Sequence, residues 1–437
     1  VSGIAIVSSQ HICHNPRVAK EATTLAAAGY DTTVCTPSFD ERLATEDAEL
    51  AQRGGFRHWV YADLRPTARS PWTRFWLRAQ SRLAREGLHW LGWNQARTLG
   101  YGLPSLLSTL RRQGFDLVIG HQEGGIWIAA ELQKAGRCVG ADVEDWYSRD
   151  HLPGQQRRLP IRLLVKCEAR VIQGASHLTT TSQAMAEALH RCYGGRPARV
   201  LHNVFPWADR ERLPGLPRDV RDPRRVSLHW FSQRIGPGRG LEELGRALAL
   251  VREPVQVHLR GRHDDADAEW VRGFFGPDSP HELVLHQLVP ARQLLGHIAS
   301  HDVGLALELN YCENKNLTIS NKLFHYLLGG LAVVATDTAG QAEAAAAANG
   351  AVCLAKVGSV DALAAAIQQW VGRPAQLAAA KAAALAVARD RFCWERQAPT
   401  LLESVARALT VARRGAVTTS VPDPGTAQDT PSDRPTR

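Results

Sequence analysis

The same unit opens both halves of this 437-residue chain: an apolar run, a polar loop, an amphipathic helix and a second apolar run. In the first half, Ile4 to Ser8 is expected to be a strand and Ser9 to His14 a loop. Asn15 then caps a helix that starts at Pro16 and ends at Gly29, the usual order of Pro in the first turn and Gly at the exit. In the second half, Val226 to Phe231 predicts a strand, Ser232 to Gly240 (SQRIGPGRG) a glycine-rich loop and Leu241 to Val251 a helix. Strands that alternate with helices join in parallel through crossovers, so the fold class is α/β with parallel sheets. The Pro- and Arg-rich run 206–225 between the halves reads as a linker. Two similar halves on a linker imply two facing α/β domains with a ligand cleft between them. The expected division is 1–205, linker 206–225, 226–390, terminal helices 391–413 and a tail, 414–437. The tail is rich in Pro, Thr and Asp with almost no apolar residues and is expected to be disordered.

Parallel sheets bind ligands beyond the carboxyl ends of their strands, and that rule selects the candidates. The first loop and helix start carry His11, His14, Asn15 and Arg17. His121 follows the apolar run Phe115 to Gly120 and is expected to point into the crevice. In the second half, Arg234 and Arg239 could act as forked donors to a phosphate, although GPGRG also describes a surface turn. The stretch Glu308 to Gln341 is the richest. Its turn Thr318-Ile319-Ser320 feeds a helix near Asn321, with Ser320 as the expected hydroxyl cap and Gly329-Gly330 as the stop. Leu323, Phe324, Leu327 and Leu328 form the core face; Asn321, Lys322 and His325 form another face, at the electropositive helix start suited to an anion. An ordinary α/β helix with a polar outer face would read the same way. The first loop lacks a dinucleotide glycine fingerprint, which counts against an oxidoreductase.

A net charge of +9 points to an acidic partner: nucleic acid, anionic lipid or a phosphorylated substrate. The basic residues accompany no nucleic-acid reading motif. Eight scattered cysteines form no CxxC and no grouping with histidine that suggests a metal site, so they read as reduced thiols of a cytoplasmic protein. In residues 56–97, arginines such as Arg74, Arg78, Arg82 and Arg85 interleave with Trp59, Trp72, Phe75, Trp76, Trp90 and Trp93. Trp72 to Trp90 can be drawn as an amphipathic helix. It would either lie on an anionic membrane or amphiphilic acceptor, or pack its aromatics on its own domain.

Taken together, HNPRVAKEATTLAAAGYDTTV (14–34), FDLVIGH (115–121), HLTTTS (177–182), VLHNV (200–204), RIGPGRG (234–240), ISNKLFHYLLGGLAVVATDTAGQ (319–341) and FCWERQ (392–397) resemble the retaining family 4 glycosyltransferases of the two-domain GT-B type. The resemblance covers the chain to about Leu409. It implies two Rossmann-like domains and transfer of a sugar from a nucleotide diphosphosugar to a glycan, lipid-linked or small-molecule acceptor, with retention. Arg234 and Arg239 would grip the diphosphate, and His121 would contact the sugar. Ser320, Asn321, Lys322, Asn316, Thr318 and Glu308 would bind the donor, with Glu313 a further sugar or ribose candidate. His14, Asn15 and Arg17 would face the acceptor. No resident cofactor, metal or nucleic acid is expected. The expected location is the cytoplasm, with peripheral contact to the inner face of the membrane. One departure stands out: the family often carries two glutamates eight apart, and here those positions hold Leu317 and His325. His325 is therefore either a substitute ribose contact or the sign of a changed donor. A GT-B epimerase and a non-catalytic nucleotide-sugar or polyanion binder are the competing readings.

Overall fold

The structure is a computed structural model that describes residues 1–418 apart from 69, 153, 156–158 and 277, with side chains described as far as residue 413. The expected tail is mostly outside these residues. Where its start falls inside them, the final helix, Trp394–Thr418, runs past residue 414.

Seven parallel strands build the first sheet: β1 Gly3–Val7, β2 Asp31–Ser38, β3 Arg57–Asp63, β4 Leu117–His121, β5 Val139–Val143, β6 His177–Thr180 and β7 Arg199–Val200. Six build the second: β8 Val226–Arg234, β9 Val255–Arg262, β10 Glu282–His286, β11 Val303–Ala306, β12 Ala332–Thr336 and β13 Val352–Ala355. The strand orders are β3-β2-β1-β4-β5-β6-β7 and β10-β9-β8-β11-β12-β13. Both sheets are covered on two faces, which is why central strands such as β1 (GIAIV) and β11 (VGLA) are apolar on both sides, whereas β9 (VQVHLRGR) alternates. Leu228, Val257, Leu305 and Val334 belong to one core of the second sheet, and Ala306, Val333 and Ala335 to the core on its other face.

Both strand orders reverse direction once, between β1 and β4 and between β8 and β11. Chain leaving neighbouring strands at such a point diverges and leaves a crevice. The first loop and the Gln122–Lys134 helix flank one crevice; the Ser232–Gly240 loop and Glu308 flank the other.

The joint between the domains is more structured than a Pro/Arg-rich linker suggests, for it holds a short helix, Trp207–Glu211, and a 3-10 turn. The chain crosses between the domains twice, and the crossings are tied together: Phe205 and Cys393 form a β-bridge, and Trp394 N donates to Phe205 O at 3.0 Å. The final helix then returns to the first sheet, packing Leu401, Val405 and Ala408 with Ile4, Ile6 and Val18.

Candidate functional site

On the second domain, Glu308 leaves β11 with its backbone N–H held by Thr336 Oγ1 at the end of β12. Its Oε1 accepts from Ser320 Oγ and from Lys322 Nζ, both at 2.7 Å. Burial alone would raise this carboxyl, but Lys322 outweighs it and holds Glu308 below its ordinary value. Lys322 keeps two further donor protons, and beside it the first N–H groups of the Asn321–Gly329 helix have no partner within the helix. The Ser320 hydroxyl is not the expected helix cap. It donates to the Glu308 carboxylate instead, a charge-assisted hydrogen bond.

The arginine loop reaches the same edge. A Cβ on Gly240, whose φ is +80°, would lie 2.8 Å from Leu307 Cβ, so the loop runs against the residue before Glu308 and only glycine fits. Arg239, next to it, is exposed, donates to Ser232 Oγ at 2.9 Å and has no carboxylate partner among the described residues. Arg234 differs: it pairs with Asp267 at 2.9 Å, on the helix capped by Asp264.

Three expected donor contacts do other work. Asn316 Oδ1 accepts from Ala339 N, and Thr318 Oγ1 donates to Asn314 O. His325 stacks on Phe205 of the interdomain joint with ring centroids 3.6 Å apart, and meets Phe231 edge-on. Burial lowers its imidazole to about 3. An apolar ring environment, not a polar face, explains His325 at this position. Glu313, the further sugar candidate, pairs with Arg149 of the first domain.

On the first domain, the expected exposed residues are mostly buried. Arg17 is fully buried, forking onto Asp142 at 3.0 and 2.6 Å and donating to Leu201 O at 2.6 Å. It is a structural pair and not an acceptor contact. His121 also has no exposed surface; its Nε2 meets Glu21 Oε2 at 3.1 Å. Burial alone would lower the imidazole, but the Glu21 carboxylate raises it to about 9. His121 thus lies beneath the crevice surface, tied to a buried acid, instead of pointing openly into it. Asn15 caps its helix as expected, Oδ1 accepting from Arg17 N and Val18 N, and its Nδ2 donates to Glu144. Burial brings the Glu144 carboxyl up to about 7. Only His14 of this set is exposed.

Sequence reasoning missed Gln122. It holds φ 59°, a left-handed conformation uncommon for a residue with a side chain. Its Oε1 accepts from Ser8 Oγ at 3.0 Å and Ser9 N at 2.9 Å, which clamps the first loop to the end of β4. The signal was present: Gly120, Gly124 and Gly125 surround it, and a Cβ on Gly125 would lie 2.6 Å from Val7 O. Asn314 was also missed. It ties the domains across the cleft, Nδ2 donating to Asp145 Oδ1 at 2.7 Å and Oδ1 accepting from Trp146 N at 2.8 Å.

Residues 14–204 match the model of the glycosyl transferase 4-like domain. That match covers less than half of the chain; the chain as a whole has the two-domain GT-B fold. Among solved structures, it is similar to Alr3699/HepE of Anabaena in complex with UDP, at 17% identity and a TM-score of 0.62, covering 93% of this chain and 100% of that one. Sucrose-phosphate synthase of Thermosynechococcus elongatus gives 16% identity and a TM-score of 0.65, over 94% and 100% of the two chains. A putative UDP-N-acetylglucosamine 2-epimerase of Listeria monocytogenes gives 12% and 0.53, over 97% and 99%. No curated protein sequence matches. GT-B chains of such different names share this frame, so the reaction has to be argued from the site.

Proposed function

We propose that this GT-B protein is a glycosyltransferase that moves a sugar from a nucleotide diphosphosugar to a glycan, lipid-linked or small-molecule acceptor. The observation that carries the reading is at the second crevice: Glu308 holds Lys322 beside the open helix start at Asn321, and the loop bearing the exposed Arg239 runs against Leu307, the residue before Glu308. Cleavage of the sugar–phosphate bond leaves charge on the departing diphosphate, and donors fixed in advance around it lower the barrier. Arg234 is the lesser donor, for its carboxylate partner Asp267 leaves it less free to grip phosphate than Arg239. A uracil base is favoured by the UDP in the complex of Alr3699/HepE. Retention follows if the acceptor attacks from the face the diphosphate leaves. With arginine, lysine and a helix terminus supplying positive charge, the reading needs no metal. On the other side of the cleft, His14, Asn15 and the Gln122 clamp form the acceptor edge, and His121 acts through Glu21 as a support beneath it.

A panel of nucleotide sugars, screened first for protection against thermal unfolding and then for transfer, tests this reading. UDP-sugars are expected to protect, and Arg239→Ala or Lys322→Ala to weaken protection and to cut transfer by about 10²–10³. Full activity in both variants would sink the assignment. The epimerase reading is kept because a putative epimerase shares the frame. It predicts conversion of the donor with no acceptor present, which product analysis detects.

A further inference from the structure

We infer that the Pro71–Leu91 helix is a docking surface for an anionic lipid bilayer, placed so that the membrane lies beside the first-domain crevice. The helix attaches to its domain by a narrow stripe, Ser81, Ala84 and Leu88. At about 100° per residue, Trp72, Trp76, Leu83 and Trp90 fall on the opposite side. All four are exposed, Trp72 and Trp90 at 74% and 75%. Of the 17 exposed large hydrophobics among the described residues, seven fall between Trp72 and Trp93, so this is one concentrated patch and not ordinary scatter.

The charge on the patch names the partner. Arg74, Arg78, Arg82 and Arg85 run along one flank at helical spacing, and none of them meets a carboxylate within 4 Å among the described residues. A monomer would gain by neutralising them, and a second copy would bring the same positive charge against them. An anionic bilayer satisfies both features at once: the tryptophans enter the interface and the arginines meet phosphates. Among the described residues no helix is long and apolar enough to cross a membrane, so the contact would be peripheral.

Position ties the surface to the cleft. Arg85 Nη2 reaches Tyr101 Oη at 3.4 Å, Tyr101 meets Phe39 at 5.9 Å, and Phe39 meets His11 of the first loop at 5.7 Å. This line of rings leads from the helix to the crevice where the acceptor is proposed to bind. The link to an amphiphilic acceptor rests on the proposed transferase reading; docking itself does not.

Co-sedimentation of the full chain at low salt, with vesicles of phosphatidylcholine alone and of phosphatidylcholine with phosphatidylglycerol, tests the inference. Binding is expected only to the anionic vesicles and is expected to be lost at high salt. The triple change Trp72→Ser, Trp76→Ser, Trp90→Ser and the pair Arg78→Glu, Arg82→Glu should each weaken it by about tenfold or more. All five side chains are exposed, so thermal unfolding should be unchanged. No sedimentation of the wild type, or equal sedimentation of the variants, overturns the inference. A lipid-free dimer by light scattering that the tryptophan changes dissolve would assign the face to a second copy instead. Protection by UDP-sugars, measured on the same proteins, reports separately on the transferase reading.

Discussion

Arg17 and Arg239 follow strands β1 and β8 at the two switch points of the molecule, yet they do opposite things. Arg17 is buried with Asp142, Glu21 and His121 around it; Arg239 is exposed and, among the described residues, its side chain bonds a serine hydroxyl and no carboxylate. In a low-dielectric interior a guanidinium must be neutralised by the protein itself, and its donors are used up in that pairing. At the surface of the crevice water solvates it, and its donors are not tied up in an ion pair among the described residues. At its switch point the first domain thus uses its arginine to hold shape, while at the second the arginine stays exposed.

The comparison breaks most severely at Arg17. Arg17→Met leaves Asp142 uncompensated in the core, and urea denaturation is expected to show a loss of about 3–5 kcal/mol or failure to fold. Next comes Arg239→Ala, where the transfer rate should fall by about 10²–10³ while stability changes by no more than about 0.5 kcal/mol. Steady-state kinetics and denaturation on the same sample separate the two. If Arg239→Ala were as destabilising as Arg17→Met, the contrast between a structural and an open arginine would fail.

Two histidines sharpen the contrast through pH. His121 is raised to about 9 in the fold, so its pairing with Glu21 stabilises fully below the unfolded value near 6.5. That contribution is lost as pH rises through 9, and His121→Gln should flatten the alkaline limb of stability. His325 is lowered to about 3, so the unfolded chain takes up a proton below about 6.5 that the folded one does not. This contribution therefore falls as pH drops from 6.5 towards 3, and His325→Phe should make the acid slope shallower. Denaturation curves across pH check both; equal slopes in variant and wild type would refute the assignment. The smallest expected effect is Ser320→Ala, which removes one hydrogen bond to Glu308 and should cost about 0.5–1.5 kcal/mol.

Much of the frame was legible from local patterns. Asn15 with Pro16 predicted a helix start because capping is satisfied within a few residues, and the structure places the cap there. Alternating apolar runs and helices predicted two parallel sheets for the same reason: each unit carries its own signal. Side-chain roles were less legible. Ser320 read as a cap because its nearest backbone N–H groups are local, but its partner Glu308 is twelve residues away in sequence. Arg17 and His121 read as ligand contacts because strand ends usually face a crevice. Their partners Asp142 and Glu21 come from 125 and 100 residues away, and no local pattern carries that distance. The Trp-rich helix was legible as a helix, but which way its aromatics turn was not.

Local sequence alone determined the strand and helix units, the glycine-bearing turns and the candidate positions at the strand ends, because those depend on propensity, capping and spacing. Only the tertiary structure decided which charged groups are buried together and which remain open. Burial of a charge depends on where distant segments bring an opposite charge, and that is settled when the sheets, the joint at Phe205 and the returning final helix pack as one molecule.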